Sequence, residues 1–179
     1  SEYFPGWLVS FKMTENSKVL ALKYRPQVFE DLIGQQVIAE TIKNSITADK
    51  SPNAFLFTGI RGVGKTTFAR IVAKSLNCEN GIENICKNKC SNCISITNSN
   101  HIDVLEMDAA SKTGVDDVRE LIEFSRYGPT TAKYKIFIID EVHMLRKQAF
   151  NALLKTLEEP PEYLKFIFAT TEIKKIPVT

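Results

Sequence analysis

At 179 residues, with 44% apolar and 25% charged positions, the chain can bury one sizeable core, and a single domain with a leader is the expected count. A net charge of +2 supplies neither a polybasic nucleic-acid tail nor an acidic one. Apolar runs stop at four or five residues, too short to cross a bilayer as a helix, so no membrane partner is expected.

A leader, in part either non-native or disordered, is expected over residues 1–22. Its start, Ser1 to Lys12, is aromatic-rich but lacks the long apolar region of a signal peptide, and Met13 is a candidate internal start with non-native or variable sequence ahead of it. A reducing cytoplasm is therefore expected, and the four cysteines are not read as disulfides. The domain proper is expected over residues 23–179.

Ile38, Ile42 and Ile46 mark a first helix, and Ser51-Pro52 breaks the chain after it. Ala54-Phe55-Leu56-Phe57 reads as a short buried strand. The glycine-rich stretch Gly59 to Thr66 follows it. Phe68, Val72 and Leu76 then give an apolar face to a helix from Lys65 to about Asn77. His101 to Asp108 reads as a second strand. Thr113 to Asp116 is a possible capping box for a helix carrying Val115, Val118, Leu121 and Ile122 on one face, stopped by Gly128-Pro129. Lys135 to Asp140 is an apolar third strand, as a central parallel strand should be. Phe150, Leu153, Leu154 and Leu157 line a further helix that Pro160-Pro161 ends, and Lys165 to Thr170 is a fourth strand. Strands alternating with helices predict an α/β fold, a parallel sheet covered on both faces.

Gly59-Ile60-Arg61-Gly62-Val63-Gly64-Lys65-Thr66 fits G-x-x-x-x-G-K-[ST], the phosphate-binding P-loop, and has the strand and helix that motif needs. Glycines let backbone N–H groups approach a polyphosphate, and the helix N-terminus adds its dipole. Lys65 supplies a point charge for the outer phosphates, the Thr66 hydroxyl can ligate Mg²⁺, and Thr67 completes the nucleotide-binding set. Ile136 to Asp140 followed by Glu141 is the second half of an ATPase site, a Walker B pattern. Asp140 at the strand end can hold the Mg²⁺ shell, and Glu141 can polarise an attacking water. Thr171, ending the next strand, can hydrogen-bond that water or the γ-phosphate. Lys65, Asp140, Glu141 and Thr171 form the expected catalytic set for ATP hydrolysis.

Cys78, Cys86, Cys90 and Cys93 fall within sixteen residues of a polar segment with little core of its own. A tetrahedral Cys₄ site for Zn²⁺ would supply folding energy that apolar burial there cannot. Free thiols and a redox pair are the alternatives, and a redox C-x-x-C would not need four cysteines. A catalytic zinc would need an open position that four thiolates do not leave. The inserted module is expected over residues 78–93.

Tyr24 to Gln35, the P-loop, the four-cysteine insertion, Asp108-Ala109-Ala110-Ser111, Ile139 to Leu145 and Asn151 to Pro161 together resemble the bacterial DNA polymerase III gamma/tau family. The resemblance covers roughly Val19 to Thr179. It implies a P-loop NTPase fold of the AAA+ type, with a five-stranded parallel sheet in which P-loop and Walker B strands lie side by side. It implies the motor subunit of a sliding-clamp loader, an ATPase within DNA-directed DNA polymerase III. Its partners would be companion loader subunits in a heteropentameric ring, the sliding clamp and primed DNA. Matching motif positions make Thr171 the sensor 1 residue and the four cysteines the zinc ligands. Lys112 is the candidate DNA contact, a solvated lysine being the alternative. The family has two residues between its second and third cysteines, and this chain has three. The family also continues past the position of Thr179 with a Ser-Arg-Cys segment, a lid and a collar, so the isolated chain is expected to be monomeric and a weak ATPase at best.

Three other readings compete: a nucleotide-binding structural ring subunit without its own hydrolysis, a zinc-dependent DNA-binding module regulated by the P-loop domain, and an AAA+ branch-migration helicase. Lys65, Thr66, Asp140 and Glu141 disfavour the first, sparse basic residues between Cys78 and Cys93 the second, and the cysteine insertion the third. Glu158 and Glu159 break a local rule, since acids are disfavoured at a helix C-terminus. They are either inconsequential exposed acids or contacts for a basic partner.

Overall fold

The computed structural model describes residues 8–13, 39–40, 42–44, 52–59, 64–111, 115–172 and 175. Ile38, Ile46, the loop Ile60 to Val63, Lys112 and the Thr113-Gly114 start of the capping box lie outside the described residues, and Lys65, Thr66, Val115 and Val118 are described in backbone only.

Among the described residues, five parallel strands form one sheet: β1 (Leu8–Met13), β2 (Ala54–Gly59), β3 (Val104–Asp108), β4 (Lys135–Asp140) and β5 (Leu164–Thr170). Their order is β1-β2-β5-β4-β3. Within the leader, residues 8–13 thus supply the edge strand, with Leu8 opposite Ala54. The expected neighbourhood of P-loop and Walker B strands is corrected: β5 lies between β2 and β4, pairing Ala54 with Phe166 on one side and Phe137 with Phe166 on the other. Strand spacing then separates β2 from β4 by about 10 Å.

Side chains alternate across the sheet with the period of two that strands impose. Phe55, Phe57, Ile136, Ile138, Ile167 and Ala169 turn to one face, where they bury α1 (Gly64–Asn77) through Ala69, Ile71, Val72 and Ala73. Leu56, Phe137, Ile139, Phe166 and Phe168 turn to the other. There they meet Leu121 of α3 (Val115–Arg126) and Leu153 and Leu157 of α4 (Lys147–Glu158). Right-handed crossovers explain the two faces. The chain steps from β2 outward to β3, then returns through β4 to β5, and reversing direction puts the later helices on the opposite face. β5, buried along its whole length, is the centre of this core.

Four local expectations need correction. The second strand starts at Val104 and not at His101, because His101 and Asp103 spend their polar groups on fixing the turn before it. Ile122 is exposed, at 44%, and the buried face of α3 is Leu121 with Phe124 packed against the core. The cysteine segment also contains an unexpected helix, α2 (Ser91–Thr97). Residues 71–78 are all buried, where an amphipathic reading gave α1 a single apolar face.

Candidate functional site

The candidate site follows from the strand directions. In a parallel sheet all carboxyl ends share one edge, and ligands bind in the crevice where the winding reverses. Here β2 ends at Gly59 and α1 begins at Gly64 on that edge, so the helix N-terminus sits beside the ends of β5 and β4. By the same alternation as Ile136 and Ile138, Asp140 turns to the α1 face. Ala69, one helical turn after Lys65, and Asp140 line one cavity of about 190 Å³, together with Glu106 and Asp108. The helix that opens at Gly64 and the Asp140 carboxylate therefore meet on the same face and the same edge.

Glu141 follows immediately, with φ 51° and ψ 48°, the left-handed region that costs a non-glycine residue about 1–2 kcal/mol. Its N–H donates to Asp140 Oδ1 at 2.9 Å, and its carbonyl accepts from Met144 N–H at 2.9 Å. That sharp turn directs the carboxylate towards the end of β5. The Thr171 hydroxyl donates to Glu141 Oε2 at 3.2 Å. The sequence put Thr171 on a water or phosphate; in this structure it binds the glutamate itself. Glu141 and Thr171 line an open cleft of about 400 Å³ with Ala110, His143, Met144 and Glu172.

His143 is the functional residue that sequence reasoning passed over. Its Nδ1 lies 2.8 Å from Thr170 Oγ1, and its Nε2 lies 3.4 Å from Glu141 Oε2. The available signal was its place two residues after Glu141, in a chain with only two histidines. On the α1 face, Arg70 holds Glu106 Oε1 through Nε at 3.2 Å and Nη2 at 3.1 Å, tying the P-loop helix to β3.

The cysteines meet at the other end of α1. Their four Sγ atoms all lie within 4.8 Å of one another, with Cys78 and Cys90 at 3.9 Å. Ligands about 2.3 Å from a tetrahedral zinc stand about 3.8 Å apart, so the residues present fit such an ion with little movement. Backbone N–H groups already point at sulfur: Cys86 to Cys78, Lys89 and Cys90 to Cys86, and Cys93 to Cys90, each at 3.3 Å. Burial pushes the Cys86 thiol up, yet the Cys90 and Lys89 N–H groups and the neighbouring thiols outweigh it and bring it down to about 6. Burial raises Cys93 and Cys78, and the Cys90 and Cys86 thiols raise Cys93 further. A divalent cation held by these four sulfurs would favour the thiolate at every one of them. Between Cys86 and Cys90 the chain turns through Asn88, whose φ is 54° and whose Oδ1 accepts from Lys74 Nζ at 3.0 Å.

A buried polar chain joins this module to the sheet. Asn77 pairs with the Tyr134 backbone through Nδ2 and Oδ1, both at 2.9 Å. Asn92 donates to Asn77 O at 2.9 Å and meets His101 Nε2 at 2.8 Å. Asp103 N–H donates to His101 Nδ1 at 2.9 Å, which makes Nε2 the protonated nitrogen. The Asp103 carboxylate accepts from the Thr130, Thr131 and Ala132 N–H groups at 2.7, 2.7 and 2.8 Å. Burial opposes its charge, and these donors prevail, holding its pKa below the usual value. Burial likewise lowers His101, against the pull of Asp103.

A family profile described as DNA polymerase III, delta subunit, matches residues 34–179. The chain is 54% identical over 165 residues to DNA polymerase III subunit gamma of Buchnera aphidicola (subsp. Baizongia pistaciae), covering 92% of this chain and 44% of the relative. It is 49% identical over 162 residues to DNA polymerase III subunit tau of Escherichia coli, covering 90% and 25%. Bacillus subtilis subunit tau is 52% identical over 157 residues, covering 87% and 28%. The chain thus spans about a quarter to under half the length of these curated relatives. A solved structure of a DNA polymerase III gamma subunit-related protein from Thermotoga maritima matches with a TM-score of 0.51 at 27% identity, covering 77% of this chain and 40% of that one. With the profile spanning four-fifths of its length and half of its aligned residues identical to gamma and tau subunits, the chain belongs to this DNA polymerase III subunit family, on its gamma/tau branch.

Proposed function

We propose that this chain is the ATP-binding and ATP-hydrolysing AAA+ region of a bacterial sliding-clamp loader motor, acting in DNA replication in the cytoplasm. The observation that carries the reading is the convergence at one sheet edge of the P-loop helix N-terminus, Asp140 on the α1 face, and Glu141 bound by Thr171. Gly59 to Thr67 would cradle the triphosphate, with Lys65 on the outer phosphates and Thr66 and Asp140 holding Mg²⁺. That ion would offset charge on the transferring phosphoryl group. Glu141 orients and polarises the attacking water, and Thr171 sets the direction of its carboxylate. Cys78, Cys86, Cys90 and Cys93 hold a structural Zn²⁺. Companion subunits in a heteropentameric ring, the clamp and primed DNA are the proposed partners, with Lys112 as a candidate contact for the DNA backbone.

The test is turnover in the full-length protein. Glu141→Gln keeps the shape of the side chain and removes its charge, so it should bind MgATP and fail to hydrolyse it. Unchanged hydrolysis in that variant removes Glu141 from the mechanism.

A further inference from the structure

We propose that His143 is a positioning residue for Glu141, a relay that passes the orientation of Thr170 to the carboxylate; the inference rests on the hydrolytic reading above. The imidazole is almost enclosed, its side chain 7% exposed against 16% for Glu141. Thr170 is fully buried, and its Oγ1 accepts the Glu172 N–H at 3.0 Å. The one hydroxyl hydrogen of Thr170 is then available to His143 Nδ1 at 2.8 Å. That leaves the ring proton on Nε2, which faces Glu141 Oε2 at 3.4 Å. The opposite tautomer would set a nitrogen lone pair against an ionised carboxylate oxygen, so the network selects the tautomer.

The same oxygen, Oε2, receives the Thr171 hydroxyl at 3.2 Å. Two successive residues at the end of β5 therefore reach one carboxylate oxygen, Thr171 directly and Thr170 through the ring. The left-handed backbone at Glu141 aims the side chain, and this pair fixes its rotation. His143 has its ring nitrogens engaged by Thr170 and Glu141. Its effect is on where the carboxylate stands, and a displacement of about 1 Å at such a group can cost on the order of 100-fold in rate.

The experiment compares MgATP affinity and kcat in the full-length protein, with Glu141→Gln as the reference. His143→Leu should lower kcat on the order of 10- to 100-fold and leave ATP affinity within about twofold. His143→Gln, whose amide can span Thr170 and Glu141, should recover part of that loss. Thr170→Val, an isosteric change, should reproduce the His143→Leu defect, and the double variant should be no slower than either single one. A space-filling role for the ring would give neither the glutamine rescue nor this non-additivity. If His143→Leu does not fold, Thr170→Val carries the test alone. Wild-type kcat in the Leu and Val variants, with Glu141→Gln inactive, overturns the inference and leaves the hydrolytic reading standing. Turnover that survives Glu141→Gln overturns the hydrolytic reading, and this inference with it.

Discussion

The two ends of the sheet are held by different chemistry. At the carboxyl edge, Asp140, Glu141 and Thr171 sit at or just past strand ends, beside open clefts. At the amino edge, Asn77, Asn92, His101 and Asp103 are buried and hydrogen-bonded to one another or to the turns around them, next to four converging sulfurs. The edge proposed to do chemistry keeps solvent access, while the polar groups at the opposite end are saturated. Local stability of this uneven kind is what a working edge on a fixed scaffold requires.

The contrast can be broken from the amino edge first. Metal removal is the largest expected effect, since structural zinc contributes about 10–16 kcal/mol in isolated finger peptides. Dialysis against a chelator should raise amide exchange first across residues 78–97, and a metal-free protein with unchanged protection there contradicts a structural ion. Asp103→Ala comes next. Stripping the turn at 130–132 of its acceptor should cost about 2–4 kcal/mol in denaturant unfolding.

The same group gives a pH signature. Folded-state values depressed for both His101 and Asp103 mean that the unfolded chain binds protons first. Their stabilisation is complete above the ordinary values of 6.5 and 3.8 and is lost as pH falls, His101 first. Asp103→Asn should flatten the lower of the two losses in a stability–pH series. The smallest expected effect on stability lies at the carboxyl edge. Thr171→Val should change the unfolding free energy by less than about 0.5 kcal/mol while slowing ATP turnover about tenfold. A large stability loss there would erase the contrast.

Much of the fold was legible because it is local. Lys135 to Asp140 announced a central strand by uninterrupted apolar residues, and its bounds are those observed. The glycine motif marked the β2–α1 junction, although the loop's own geometry lies outside the described residues. Strand order was not legible. Nothing in the composition of β4 or β5 says which of them lies beside β2, and only the returning crossovers decide it. The helix α2 escaped because Ser-Asn-Cys-Ile-Ser-Ile-Thr has poor intrinsic propensity. Its start is fixed instead by the Cys90 side chain, which accepts the Cys93 N–H. Thr170 and His143 are 27 positions apart, so their contact exists only once β5 lies beside β4. Thr171 and Glu141 were each singled out from their positions at strand ends, but the contact between them was not.

The central claim is that this carboxyl edge holds a magnesium-bound triphosphate, and titration of the full-length protein with MgATP, beside Lys65→Ala, tests it most directly. The account predicts saturable binding that the alanine variant loses. Equal affinity in a folded Lys65→Ala protein, or no binding by either, would contradict it.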